Sequence, residues 1–371
     1  MNIREGLGWI YYIYPYIAPI QNKKSVLLSI LFSKPIHKIK LIDGGVLEID
    51  SKYIYFIYCL LAALCFSTSY KVKSNSEIEI CQDFNSTFTI HLNNLNPENA
   101  NLLELLFLGS RFGGHFISGK PTPSNPVREK TFFIYKIDER QIIESSNGIR
   151  FYLDTMNAAD TIIETFITNL HHINSKINWK DKVVIDVGPE YGDTPLYFAS
   201  LGAKVFAFEA QKKHYDGMLE NLNLNPELSK NIIPINAAIG KDGVFDFISQ
   251  DELVASTAGS IVYDSINKVK NAKKVQVKSY SIESAMKKFE IIHVDLLKMD
   301  CKGCEFFLNS TSLSNIDSVK IEHLAKNEFK LEDLIKILKQ SKFQSYVYRQ
   351  NLQARRSNRI VGYTYATKLK N

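Results

Sequence analysis

Lys182–Ala210 reads KVVIDVGPEYGDTPLYFASLGAKVFAFEA. Val183–Val187 is a short β-branched run of the kind that fills a strand buried on both faces. Gly188 and Gly192 bracket a tight turn, and Asp193-Thr194-Pro195 supplies a helix-cap pattern with proline early in the helix, where its missing N–H costs little. The spacing predicts a helix of about two turns ending at Gly202. Lys204–Phe208 then turns apolar again and stops at Glu209. The stretch is one β-α-β unit whose second strand closes on an acid.

Such a unit suits a nucleoside lying across the ends of two neighbouring parallel strands. Glycines let the backbone approach the ligand, and the helix start offers N–H groups to an anionic portion. A carboxylate about twenty residues past the turn, here Glu209, can accept both ribose hydroxyls. These elements alone also fit a dinucleotide, but Gly188-Pro189-Glu190-Tyr191-Gly192 is G-x-x-x-G rather than G-x-G-x-x-G, and Glu190 is a poor neighbour for a pyrophosphate. A sulfonium nucleoside has no pyrophosphate, so S-adenosylmethionine fits better than NAD.

Four motifs follow one another in order: Asp186-Val187-Gly188 with Gly192-Asp193-Thr194; Phe206-Ala207-Phe208-Glu209; Ile235-Asn236-Ala237-Ala238-Ile239-Gly240; and Asp295 to Glu305, DLLKMDCKGCE. In this order they resemble the FkbM family of S-adenosylmethionine-dependent methyltransferases, over roughly Lys182 to His323. The resemblance implies an α/β, Rossmann-like seven-stranded methyltransferase sheet. It implies a cofactor site drawn from Asp186, Gly188, Glu190, Gly192, Asp193, Glu209, Asn236 and Ala237, the small residues after the third strand forming an adenine wall. Asp300 at a strand end and Glu305 five residues on are the acids placed to orient or deprotonate a hydroxyl acceptor. His323, closing the next strand run at Val319–His323, has a pKa range suited to proton transfer. Two departures stand out: family members usually carry alanine and asparagine where this chain has Pro189 and Glu190, and an acid where it has Lys302.

At 371 residues the chain can hold one large or two modest domains. A hydrophobic content of 45% places it among folded globular proteins, and a formal charge of +6 permits an anionic partner without requiring one. Cys59, Cys65, Cys81, Cys301 and Cys304 are odd in number and mostly sit in apolar runs, which predicts reduced thiols in a cytoplasmic setting. Cys301-Lys302-Gly303-Cys304 matches C-x-x-C, yet no further ligands stand at zinc spacing, so no metal is expected there. The aromatic N-terminus lacks the pattern of a secretory signal. Tyr53–Phe66 is apolar throughout but too short to span a bilayer, and reads as a buried helix.

The first part of the chain, 1–156, reads as a mixed α+β module. Lys38–Ile49 forms a hairpin around Gly44-Gly45, Glu77–Leu92 holds two strand runs, Lys120–Pro126 is a linker, and Thr131–Ile137 is a strand. Gln141–Glu144 and Ile149–Leu153 flank the turn Ser145-Ser146-Asn147-Gly148. The methyltransferase domain is expected over 157–371, with Thr155–Ile173 as a helix leading into it and packed on its sheet. His171 and His172 at that helix's end have no carboxylate at ligand spacing.

Gln211–Asn223 predicts a helix, Asn231–Ala238 the third strand, and Val244–Phe247 with Val275–Ser279 two further strands around a hydroxyl-rich loop, Ser249–Ser260, that is a candidate for substrate contact. Leu331–Lys342 is amphipathic, and Phe343–Tyr348 with Arg359–Thr367 form a closing antiparallel hairpin whose connection carries Arg349, Arg355, Arg356 and Arg359. The expected reaction is methyl transfer to a hydroxyl of a carbohydrate or small metabolite, the acceptor being a family-level inference. Two alternatives are open: a protein that binds the cofactor without turnover, and a nucleic-acid methyltransferase. The second is the weaker, because such enzymes commonly follow an acid or asparagine with Pro-Pro and an aromatic, where this chain has Asp300-Cys301-Lys302-Gly303.

Overall fold

The chain packs as two units, Met1–His171 and His172–Asn371. The structure, a computed structural model, describes residues 3–32, 34, 36–51, 54–82, 86–92, 97–123, 125, 128–156, 159–173, 177–249, 273–301, 303–325, 330–348 and 360–369.

The first unit opens with helices α1 (Ile3–Ile13) and α2 (Lys23–Leu31), followed by the hairpin β1 (Ile36–Lys40) and β2 (Val46–Ser51) around Gly44. Helix α3 (Ile54–Phe66) buries residues on every side, including Phe56, Leu60, Leu61 and Leu64, because its sequence has no polar face to offer water. Its 13 residues rise about 20 Å, well short of a hydrocarbon core of about 30 Å. Among the described residues no helix is long and apolar enough to cross a membrane.

Strands β3 (Ser69–Ser74), β4 (Glu77–Cys81) and β5 (Thr87–His91) make an antiparallel sheet. After α4 (Pro97–Glu104), β6 (His115–Ser118), β7 (Thr131–Ile137), β8 (Arg140–Ser145) and β9 (Arg150–Tyr152) make a second. Gly148, at positive φ, makes the expected turn between β8 and β9.

The helix expected over Thr155–Ile173 is short and lies elsewhere. Among the described residues only α5 (Asp160–Ile162) and a π turn over Ile163–Ile167 form, and they pack on the first unit: Phe166 meets Phe151, and Ile167 closes over Gly114. Polar anchoring explains the placement. Asn101 Nδ2 donates to the carbonyls of Leu153 (2.7 Å) and Met156 (2.9 Å), and Glu104 accepts from the Ala159 N–H at 2.7 Å and from the Tyr55 hydroxyl. Burial, then the neighbouring Asp160, pushes the Glu104 carboxyl up to about 7.

The second unit is built on β10 (Val183–Val187), α6 (Asp193–Ser200), β11 (Lys204–Phe208), α7 (Lys212–Asn223), α8 (Pro226–Ser229) and β12 (Ile232–Ile235). The chain then leaves the main sheet. The expected third strand is cut short because β13 (Ala238–Ile239) pairs instead with β15 (Lys273–Tyr280), itself antiparallel to β14 (Gly243–Ser249). Helix α9 (Ile282–Lys288), capped by the Ser281 hydroxyl, leads to β16 (Val294–Met299) and β17 (Ile316–Ala325). Helix α10 (Leu331–Gln340) and strands β18 (Phe343–Tyr348) and β19 (Ile360–Lys368) complete the unit.

The seven-stranded sheet runs β12-β11-β10-β16-β17-β19-β18, with β19 antiparallel to both its neighbours. Strand order reverses between β10 and β16, the switch point at which open α/β sheets leave a crevice beyond the carboxyl ends of their strands. Val184, Ile185 and Leu297 are wholly buried across that junction, each contributing roughly 1.5–3 kcal/mol of burial. This is the Rossmann-like methyltransferase sheet expected from the sequence.

Candidate active site

Three strand ends converge at the switch point. Strand β10 ends at Val187 and enters the turn Gly188–Gly192; β11 ends beside Glu209; β16 ends beside Asp300, whose N–H donates to the Val187 carbonyl at 2.8 Å. The turn can pass only because Gly188 lacks a side chain: at φ +74°, a Cβ there would lie 2.1 Å from the Asp300 carbonyl oxygen. Gly192, also left-handed at φ +91°, is the residue from which α6 starts.

The expected cap pattern is realised differently. No side chain caps α6; Asp193 and Thr194 are its first helical residues, and the Thr194 hydroxyl donates instead to the Asp186 carboxylate. Helix α7 holds the turn from behind, Asn221 Nδ2 donating to the Tyr191 carbonyl at 2.9 Å while His214 packs on the Tyr191 ring at 4.7 Å. Burial pushes that imidazole down to about 4, so it stays neutral.

Glu190 sits between the two glycines at φ +45°, a conformation that asparagine tolerates better than glutamate. We expect Glu190→Asn to raise stability by about 0.5–1 kcal/mol, read as a shifted urea midpoint at unchanged slope. No gain would mean that the Glu190 side chain contributes as much as its backbone strain costs.

Glu209 is buried, 5% exposed. One carboxylate oxygen accepts from the Gln211 N–H (2.8 Å) and the other from the Glu190 N–H (3.1 Å), so the acid ties the end of β11 to the glycine turn. Each oxygen keeps one lone pair for a ligand hydroxyl. Burial outweighs those bonds and pushes the carboxyl up to about 7. Asn236, exposed where the chain leaves the sheet, donates from Nδ2 to the Glu209 carbonyl at 2.8 Å, with Ala237 buried beneath.

Lys298 is the site residue that the sequence reading missed. It is 5% exposed, stands directly opposite Asp186 in the parallel register of β10 and β16, and places Nζ 2.9 Å from Asp186 Oδ1 and 3.0 Å from the Gly188 carbonyl. Asp186 itself is wholly buried. Burial alone opposes the ammonium charge, but Asp186 foremost, then Asp300 and Asp193, hold it well above the ordinary lysine range. One cation therefore pairs with Asp186, feels the charge of two further acids, and anchors the turn. A signal existed: a lysine inside the apolar strand run VDLLKM demands a buried counter-charge.

The three acid–base candidates occupy unlike settings. Asp300 is half-buried at the edge of the crevice. Glu305 is wholly buried, and its Oε2 accepts from the Gly303 N–H at 2.7 Å, which makes it the brace of the turn that follows β16. His323 is also wholly buried within the sheet, its Nδ1 3.2 Å from the Thr364 hydroxyl on β19. Cys301 and Cys304 are joined as a disulfide, Cα–Cα 5.5 Å, so the expectation of reduced thiols fails for this pair, which the turn at Gly303 folds together. Cys59, Cys65 and Cys81 are free.

Lys302, most of the loop Ser249–Ser260, and Arg349, Arg355, Arg356 and Arg359 lie outside the described residues. At the opposite ends of the central strands, a cavity of about 430 Å³ is lined by Trp179, Lys182, Asp295, Asp317, Tyr365 and Lys368. Lys182 pairs there with Asp295 at 2.6 Å, and His293 Nε2 lies 3.2 Å from Asp317.

Residues 186–349 match the family model described as "Methyltransferase FkbM domain". No curated protein matches the chain. Among solved structures it is similar to wild-type Trm5b from Pyrococcus abyssi, at 13% identity and TM-score 0.35 over 64% of each chain, so the likeness spans a little under two thirds of that protein. It is also similar to precorrin-6y C5,15-methyltransferase from Geobacter metallireducens, at 11% identity, TM-score 0.28, and 52% of this chain against 84% of that one. An rRNA methylase from Streptococcus thermophilus is similar at 11% identity and TM-score 0.31, over 52% of this chain and 89% of its own. The order of the four motifs and the family model agree: the segment 186–349 is a methyltransferase domain of the FkbM family.

Proposed function

We propose that this domain takes a methyl group from S-adenosylmethionine and delivers it to a hydroxyl of a carbohydrate or similar small metabolite. The observation that carries the reading is the convergence of Gly188, Glu209 and Asp300 at three adjacent strand ends. A nucleoside fits there for two reasons: Gly188 lets the glycine turn pack against the Asp300 carbonyl so that the strand ends border one crevice, and each oxygen of Glu209 has a lone pair left for a ribose hydroxyl. When bound, the sulfonium supplies an electrophilic methyl group.

The chain's own residues do the rest. Glu209 holds the sugar, Asn236 and Ala237 border the base, and the turn at Gly188–Gly192 covers the amino-acid end. Asp300, half-buried at the crevice edge, accepts the hydroxyl proton of the acceptor and orients its oxygen; a weakly acidic sugar hydroxyl gains most from such a base. Glu305 braces the turn that carries Asp300. Asp186 acts through Lys298 and Thr194 rather than by touching ligand. His323, buried against Thr364, is left a place in the sheet.

Calorimetry with S-adenosylmethionine and S-adenosylhomocysteine, followed by labelled-methyl transfer into fractionated glycans and RNA, tests the proposal. Binding with transfer to the glycan fraction supports it. Binding with transfer to RNA replaces the acceptor, binding without transfer leaves a binding protein, and no binding removes the cofactor.

The Glu209 carboxyl adds a pH signature. Its folded value, about 7, lies above the ordinary 4.5, so its contribution to the stability of the ligand-free fold is present below the unfolded value and lost as pH rises through about 7. Two ribose hydroxyls need two acceptors, so the ionised form binds. Cofactor affinity should therefore rise about tenfold from pH 6 to pH 8 and level off. Glu209→Gln should bind about tenfold more weakly at pH 8 and lose this dependence; an equal slope in the variant would remove Glu209 from the site.

A further inference from the structure

We propose that Cys301 and Cys304 are a site of reversible thiol oxidation, exchanged with low-molecular-weight thiols and disulfides, and that this exchange tunes cofactor affinity from inside the catalytic turn. The pair spans the segment between Asp300 and Glu305. Cα atoms 5.5 Å apart are at ordinary bridging distance, and Gly303, at φ +128°, allows the turn that closes the ring. The pair is asymmetric as thiol–disulfide exchange requires: Cys301 is half-buried and open to attack, whereas Cys304 is 2% exposed. Cys59, Cys65 and Cys81 have no such partner and remain free.

The exchange is a balanced two-electron step. An incoming thiolate attacks Cys301 Sγ, forming a mixed disulfide and releasing Cys304 as a thiolate that takes up a proton. A second thiolate then attacks the incoming reagent's sulfur in that mixed disulfide, frees Cys301, and leaves as the oxidised reagent. In sum, one protein disulfide and two thiols give one protein dithiol and one small disulfide; the reverse oxidises the pair.

The structural consequence falls on both acids. Reduced Cys301 gains an S–H whose sulfur lies 3.6 Å from Glu305 Oε2, the oxygen that otherwise braces the Gly303 N–H. Loss of the cross-link also frees the residues just after Asp300, whose carbonyl is packed against Gly188. Oxidation thus holds the turn in the shape that fits the glycine cradle, and reduction loosens it. The effect on cofactor rests on the proposed methyltransferase reading; the thiol chemistry does not.

The full-length protein, equilibrated in glutathione buffers from fully reduced to fully oxidised, provides the test in two separate readouts. Alkylation and peptide mass mapping should show Cys301 and Cys304 blocked together in oxidising buffer and labelled in reducing buffer, Cys301 faster, with exposed Cys65 labelled throughout. Calorimetry with S-adenosylhomocysteine should show affinity about fivefold weaker after reduction, the low end of ordinary coupling between sites. The Cys301→Ser/Cys304→Ser double variant should stay at the reduced value in every buffer. A pair that never oxidises, or affinity that does not follow its state, overturns the proposal. Ligand that fails to bind in either buffer overturns the cofactor reading and with it the claimed coupling, while the alkylation result still decides the thiol exchange.

Discussion

Lys298→Met should unfold this domain more readily than any conservative change in its core. The substitution keeps the side chain's bulk and removes its charge, leaving Asp186, which has no exposed surface, as a buried anion without its cation. Breaking a buried pair from one side costs about 3–5 kcal/mol, and urea denaturation at neutral pH reads it directly. Because Nζ also holds the Gly188 carbonyl at 3.0 Å, binding of S-adenosylhomocysteine should be lost along with stability. The double variant Asp186→Asn/Lys298→Met separates charge from packing. If the buried anion is the cause, the second change restores about half or more of the lost stability; if it restores none, the loss comes from the Gly188 carbonyl contact instead.

The second large effect is expected at Gly188. Gly188→Ala adds one methyl group where the Asp300 carbonyl stands 2.1 Å away, so either the turn or the end of β16 must move. Strain and overpacking together should cost about 2–4 kcal/mol. A displacement of about 1 Å at this junction should cut methyl transfer by about a hundredfold and weaken cofactor binding with it. Gly113 supplies the control: it also has positive φ, at +85°, but nothing lies within 4 Å of its missing Cβ. Gly113→Ala should carry conformational strain alone, about 1 kcal/mol, and leave cofactor affinity untouched. Equal losses in the two variants would show that crowding against Asp300 does not matter.

Much of the domain was legible because its signals are local. A β-branched run with glycines after it can be little other than a buried strand feeding a tight turn, and Glu209 stands out as the acid that ends the next strand. The closing hairpin over Phe343–Tyr348 and Ile360–Lys368 showed in its alternation, and α3 in its lack of any polar face. Where the reading failed, the deciding contact was distant in sequence. The segment after Met156 looked like a lead-in helix for the sheet, yet Asn101 and Glu104, more than fifty residues earlier, anchor it to the first unit. His323 closed a strand as Glu209 did, but its neighbour on β19 takes it into the sheet.

The sequence by itself determined the order of the four motifs, the glycine turn, the acid at the end of β11 and the family of the domain, since each depends on residues within a few positions of one another. Tertiary structure alone decided what those residues do together. Lys298 lies 112 positions from Asp186 in the numbering, yet the register of β10 with β16 sets them face to face. The Asp300 carbonyl becomes the reason for Gly188 only once two strands end side by side. Cys301 and Cys304 become a disulfide only when Gly303 bends the chain between them. Charge neutralisation, steric exclusion and sulfur pairing act through space, and the fold sets those distances.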